Sequence, residues 1–301
     1  MRNLVSLLSA LVLASNAAAQ SPTRDSLVVS TAWLEQHLND PNLVLLHVGD
    51  KAEYDAKHIP GARYVQLSDI AVSGASAGGL SLELPNPDTL RARLAALEIS
   101  DDSRIVVYYG KDRVTNTTRI IFTLDYAGLG RNTSLLDGGM EAWIREGRRI
   151  SDVAPRAKTG TLGALRTRSL VVDAEYVKSH VGKPGFAVID ARTPEFFDGT
   201  QTGGGRGTPH QTGHIAGARN VPFGTITDST YGLRPIAELS ALFAKAGVQP
   251  GDTVVTYCHI GQQASAVLFA ARTLGFPVRL YDGSFEDWSR HAGFPVQTGR
   301  P

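Results

Sequence analysis

His58-Ile59-Pro60-Gly61-Ala62-Arg63-Tyr64-Val65 returns later in the chain as His214-Ile215-Ala216-Gly217-Ala218-Arg219-Asn220-Val221. A second pair follows in the same order. Leu136-Asp137-Gly138-Gly139-Met140-Glu141-Ala142-Trp143 is answered by Tyr281-Asp282-Gly283-Ser284-Phe285-Glu286-Asp287-Trp288. Ahead of each first motif lies a β-branched, apolar run, 43–48 and 186–190, as a buried strand requires. Two long copies of one unit follow from this pattern, whereas a solenoid needs shorter and more numerous repeats.

Each copy alternates helix-like and strand-like stretches. In the second, helices are expected over 173–181, 235–246, 264–274 and 284–291, and strands over 186–190, 253–257 and 277–281. Such alternation predicts an α/β fold, with a parallel sheet in each copy and helices on both of its faces. The stretch between the copies holds Pro155, Gly160 and Gly163 and little apolar periodicity, so it reads as a linker. The expected division is a first domain over 28–150, a linker over 151–169 and a second domain over 170–299. In sheets of this kind ligands bind beyond the C-terminal strand ends. Asp190, Cys258 and Asp282 all stand at such ends.

Cys258 is the only cysteine of the 301 residues. It closes the run Thr253–Tyr257 and opens the loop Cys258–Gln263, which feeds a helix. By local pattern it reads equally as a buried structural cysteine and as a nucleophile. The N–H groups of Ile260 to Gln263 and the following helix are expected to favour its thiolate and lower its pKa. Gly261 permits backbone conformations that a side chain opposes. Aligning Val106–Gly110 with Val254–Cys258 sets Gly110 at the cysteine position, which leaves the first copy without a nucleophile. His58/His214, Asp137/Asp282 and Trp143/Trp288 recur in both copies and so read as folding residues. His259 occurs in the second loop alone, where it either supplies positive charge or is solvated. Gln262 and Gln263 offer amide donors.

These motifs together resemble the two-domain sulfurtransferases, the rhodanese and mercaptopyruvate sulfurtransferase group. The resemblance rests on Asp190-Ala191-Arg192, on Gly213-His214-Ile215 with Gly217-Ala218, on the Cys258–Gln263 loop, and on Asp282-Gly283 followed by Trp288. It implies two tandem rhodanese-like domains with the catalytic cysteine in the second. It also implies sulfur transfer through a Cys258 persulfide, from thiosulfate or 3-mercaptopyruvate to cyanide or a thiol, with Asp190 and Arg192 bracing the loop. The chain departs from the group in two places. The residues after the cysteine are His259 and Ile260, neither the two basic residues of animal-type thiosulfate enzymes nor the small ones of mercaptopyruvate enzymes. The arginine that clamps an anionic donor is replaced by Phe196. Arg206 or His210, in the glycine-rich insertion 203–210, are candidates to take over that clamp. Thiosulfate remains the first expected donor.

Neither cofactor nor metal is expected, because one cysteine and the histidine spacing do not make a usual zinc site. A cysteine phosphatase of similar fold needs an arginine closing its loop, and Ala264 stands there. A non-catalytic secreted sulfur carrier or protein-binding module is the remaining alternative. The N-terminus reads as an export signal: Arg2, the apolar run 4–13, then Ala17-Ala18-Ala19, with cleavage after Ala19. Periplasmic or secreted destiny follows from it. An unpaired cysteine in an oxidising compartment favours a working thiol. A formal net charge of +1 gives no reason to expect nucleic acid or a membrane surface as partner.

Overall fold

The computed structural model describes residues 24–74, 79–111, 114–156, 158–204 and 210–299. The expected signal segment 1–19 and Arg206 lie outside them. Twelve strands are named here in chain order: β1 Val28–Val29, β2 Leu43–Val48, β3 Arg63–Val65, β4 Arg104–Tyr109, β5 Thr133–Leu136, β6 Val171–Val172, β7 Phe186–Asp190, β8 His214–Ile215, β9 Arg219–Asn220, β10 Thr253–Tyr257, β11 Val278–Tyr281 and β12 Val296–Gln297. They build two five-stranded sheets of one topology, β1-β5-β4-β2-β3 and β6-β11-β10-β7-β9. Every pairing within them is parallel. A small antiparallel pair, β8 with β12, closes the second copy. The central strands carry apolar side chains on both faces because helices cover both.

Alternate residues of β4 enter different cores, as the strand period of two demands. Val106 and Tyr108 point into a cluster private to the first copy, with Leu34, Ile59 and Trp143. Ile105, Val107 and Tyr109 point into a cluster that runs through both copies. That shared core is carried by two helices packed on one another, Val114–Tyr126 and Gln262–Thr273. At their crossing Thr118 Oγ1 lies 3.1 Å from Ser265 Oγ. Further along, Arg272 pairs with Asp125 at 3.0 Å. The second helix begins at Gln262, two residues before the expected start, because Gly261 takes a left-handed conformation (φ 79°) just ahead of it.

The register corrects the sequence alignment by one residue. Tyr108 Oη accepts the Ile59 N–H at 3.0 Å, and Tyr257 Oη accepts the Ile215 N–H at 3.1 Å. Val107 is level with Leu135, as Thr256 is with Leu280. Tyr108 therefore matches Tyr257, Tyr109 matches Cys258, and Gly110 matches His259. Apolar runs of equal character align almost as well one step out of phase, and only the faces tell the two alignments apart. The first copy thus has a tyrosine, not a glycine, at the cysteine position. Its hydroxyl donates to Tyr231 O of the second copy.

The two copies also dock reciprocally. Leu84 N–H of the first donates to Asp282 Oδ2 at 3.2 Å, and Leu233 N–H of the second donates to Asp137 Oδ1 at 2.9 Å. The recurrence of this aspartate is accounted for by docking. The 151–169 stretch lies against the first copy: Gly160 N–H donates to Ala95 O at 2.8 Å, and Leu162 is buried. Among the described residues no helix is long and apolar enough to cross a membrane.

Candidate active site

Cys258 lies at the C-terminal end of β10, buried to 1% exposure. Burial pushes its thiol pKa up, while the backbone N–H groups of Ala264, Ile260 and Gln263 pull it back in part. The net direction is upward, contrary to the lowered value expected from the loop alone. Removing a sulfur anion from water costs more than these N–H groups return in the resting protein. The N–H groups that favour the thiolate include that of Ala264 in the helix, beyond the loop residues Ile260 and Gln263.

The segment after β11 supports the loop from beneath. Cys258 N–H donates to Ser284 Oγ at 3.2 Å, and Ser284 Oγ donates to Tyr281 O at 2.9 Å. Phe285 N–H and Glu286 N–H donate to Cys258 O and His259 O, each at 3.0 Å. Ser284 has φ 52°, a left-handed conformation that Gly139 (φ 54°) takes in the first copy. A side chain in that conformation is strained, and here the hydroxyl it carries meets the nucleophile's own backbone. Sequence reasoning passed over Ser284, although the exchange of glycine for serine between aligned motifs was its visible sign.

Asp190 and Arg192 form a buried bidentate pair. Arg192 Nε lies 3.0 Å from both carboxylate oxygens, and Nη2 lies 2.5 Å from Oδ2 and 2.8 Å from Gly213 O. The guanidinium stacks over Phe285 at 4.2 Å. These partners fill its donors on this side, so the pair holds the strand end, Gly213 and Phe285 together.

His259 and His210 meet, Nδ1 to Nδ1 at 3.4 Å. The Phe196 ring packs edge-on against His259 at 4.6 Å. Burial, then Arg192 and His210, push the His259 pKa down to about 4. Burial also lowers that of His210. At neutral pH His259 is uncharged, so of the two roles the sequence leaves open it does not supply a positive charge beside the cysteine. Gly203 approaches so closely that a Cβ there would lie 2.5 Å from His259 Cε1, which ties the start of the insertion to the loop. Gln262 donates through its side chain to Asn116 Oδ1 of the first copy. Gln263 Oε1 is buried with no hydrogen-bond partner among the described residues.

His214 and His58 behave alike. Each Nδ1 lies 2.7 Å from a carbonyl oxygen, of Phe197 and Tyr54, and each ring stacks on that same residue. Between the copies lies a cavity of about 380 Å³, lined by Val114, Thr193, Phe223, Asp228 and Tyr231 among others. Cys258 is not in its wall, but Thr193 follows Arg192 and Val114 opens the helix that carries Asn116.

A family model described as the rhodanese-like domain matches residues 30–146 and again 173–291. A protein of Synechococcus elongatus named as a putative thiosulfate sulfurtransferase is 30% identical, covering 90% of this chain and 85% of its own. A probable 3-mercaptopyruvate sulfurtransferase of Pseudomonas aeruginosa is also 30% identical, over 90% and 98%. The sulfur carrier protein TtuD of Thermus thermophilus is 29% identical, over 90% and 96%.

Proposed function

We propose, from the premise that the chain belongs to the rhodanese-like family as a tandem sulfurtransferase, that its sulfur passes through a persulfide on Cys258. The observation that carries this is the place of the chain's single cysteine, buried at the C-terminal end of β10 and at the head of the loop that feeds the Gln262–Thr273 helix, its backbone held by Ser284 and Phe285. The N–H donors that favour its thiolate stabilise a sulfur anion whether it is thiolate or persulfide.

The steps balance simply. The Cys258 thiolate attacks the outer sulfur of thiosulfate, an S–S bond forms, and sulfite leaves with the electron pair of the broken bond. Cyanide then attacks the outer persulfide sulfur, thiocyanate departs, and the thiolate is restored. A thiol acceptor in place of cyanide leaves as its own persulfide. With 3-mercaptopyruvate as donor, the carbon–sulfur bond breaks and pyruvate leaves after protonation. Thiosulfate is the first donor to try. Phe196 stands where the family's clamp arginine would, packed on His259, and His259 in turn meets His210, so these two imidazoles are the groups nearest to that position for an anion to use. Relatives named for both donors support testing both.

The test is an intact mass of the protein after incubation with thiosulfate without acceptor, beside Cys258→Ala. A gain of one sulfur, about 32 Da, on the unsubstituted chain alone is the expected result. A gain on both proteins overturns the reading. No gain on either with thiosulfate and with 3-mercaptopyruvate also overturns it. The second outcome would favour a sulfur carrier, the word by which the Thermus relative is named.

A further inference from the structure

The first copy sends one charged side chain to the underside of the Cys258 loop. Arg119 lies in the Val114–Tyr126 helix with its side chain fully buried. Its Nη1 pairs with Asp282 Oδ1, its Nη2 donates to Leu82 O, and its guanidinium lies over Phe122 at 5.6 Å. A Cβ built on Gly261 would stand 2.9 Å from Arg119 Nη1 and 2.9 Å from both O and Oδ1 of Asp282. The turn of the loop therefore rests directly on this ion pair.

We propose that Arg119 is a positioning residue for Cys258, supplied across the interface by the copy that has no nucleophile. The physical chain is short. Arg119 fixes Asp282. Asp282 leads into Gly283, Ser284, Phe285 and Glu286, and three of these hydrogen-bond the backbone of Cys258 and His259. Gly261, held in its left-handed turn above the pair, sets the direction of the N–H groups that face the sulfur. A guanidinium is suited to this place because it stays charged when buried and donates in two directions at fixed angles. A loop displaced by about 1 Å loses its convergent donors and roughly a hundredfold in rate. The reciprocal aspartate of the other copy, Asp137, pairs instead with Arg24 at 3.6 Å, with both side chains partly exposed. The buried brace thus belongs to the armed side.

This inference rests on Cys258 as the working nucleophile, but its test needs no sulfur donor. The full chain is alkylated with iodoacetamide across about pH 6 to 10, as Arg119→Met, Arg119→Lys and Asp125→Asn. In Arg119→Met the pH of half-maximal reactivity moves upward, and the rate at neutral pH falls by about tenfold or more. Arg119→Lys lies between Arg119→Met and the unsubstituted chain, since it keeps a charge at Asp282 and forfeits the second donor. Asp125→Asn cuts the Arg272 pair at the far end of the same two helices. It lowers the unfolding temperature and leaves the alkylation profile in place. An unchanged profile in folded Arg119→Met and Arg119→Lys overturns the proposal, as does an equal shift in Asp125→Asn. Should Arg119→Met not fold, Arg119→Lys decides alone. A failed persulfide assay beside a shifted alkylation profile would remove the donor chemistry and keep the positioning role.

Discussion

At the scale of the residue, the contrast between Ser284 and Gly139 separates function from fold. Both sit at φ near 50°, where a side chain costs about 1–3 kcal/mol of strain. The first copy avoids the strain with glycine, and the second accepts it in exchange for a hydroxyl on the Cys258 N–H. Ser284→Gly should therefore change stability by no more than about 1 kcal/mol, strain relief offsetting a lost hydrogen bond. It should nevertheless lower kcat/KM several-fold. Urea unfolding alongside steady-state sulfur transfer checks both halves, and a variant that loses stability but keeps its rate contradicts this account.

Gly261 makes the opposite case, because there the positive φ and the contact with Asp282 O leave no room. Gly261→Ala should cost at least about tenfold in rate with the circular dichroism of the fold retained.

Acid–base behaviour is also set by single residues. The Cys258 pKa is raised by burial, so kcat/KM should climb with pH through neutrality as the thiolate forms. The His259 pKa lies at about 4, so its titration contributes no step between about pH 6 and 7, where a free imidazole would titrate. A pH–rate profile that bends there would show a charged His259 in the working enzyme.

At the scale of the element, the decisive unit is the pair of helices Val114–Tyr126 and Gln262–Thr273. The first is polar by composition, with four threonines, an asparagine and an arginine, yet most of it is buried. Several of its polar side chains find partners in the second copy: Thr118 with Ser265, Asn116 with Gln262 and Asp125 with Arg272 across the crossing, and Arg119 with Asp282 beyond β11, whereas Thr117 Oγ1 and Arg119 Nε have none among the described residues. Nothing in the helix itself shows that the second copy will supply those partners, which is why the role of Arg119 is not legible in the sequence. Tyr109 belongs to the same interface. Tyr109→Phe removes its hydrogen bond to Tyr231 O and should cost about 1 kcal/mol of stability, read by denaturant unfolding, with the sulfur transfer rate unchanged.

At the scale of the whole molecule, the copies are held by exchanged segments as well as by packed helices. Glu83, beside the Leu84–Asp282 bond, has its pKa pushed up to about 8, first by burial and then by Asp282. Arg119 opposes the shift, and Asp287 and Glu286 add to it. A carboxyl held above its unfolded value stabilises the fold most in acid. That contribution is fully present below the unfolded pKa and is lost as pH rises through about 8. Glu83→Gln should therefore flatten the fall in unfolding temperature between about pH 5 and 8. It should also raise that temperature at pH 8 by about 2–4 °C for each kcal/mol recovered. Scanning calorimetry across that range checks it, and an unaltered slope would show that Glu83 is already ionised in the folded protein.

Duplication, the α/β class, two parallel sheets and the family were all readable in the chain, because they depend on period, spacing and repeated motifs, which are local properties. The thiol and its loop were readable for the same reason. What tertiary structure alone decided was phase, charge state and partnership. The phase of β4 against β10 turns on which face meets the shared core, and two apolar runs one step apart look the same in sequence. The uncharged state of His259 and the raised pKa of Cys258 come from burial, which depends on segments distant in sequence. The seat of Arg119 beneath Gly261 depends on how two copies pack, and a linear chain does not record which of its helices will touch.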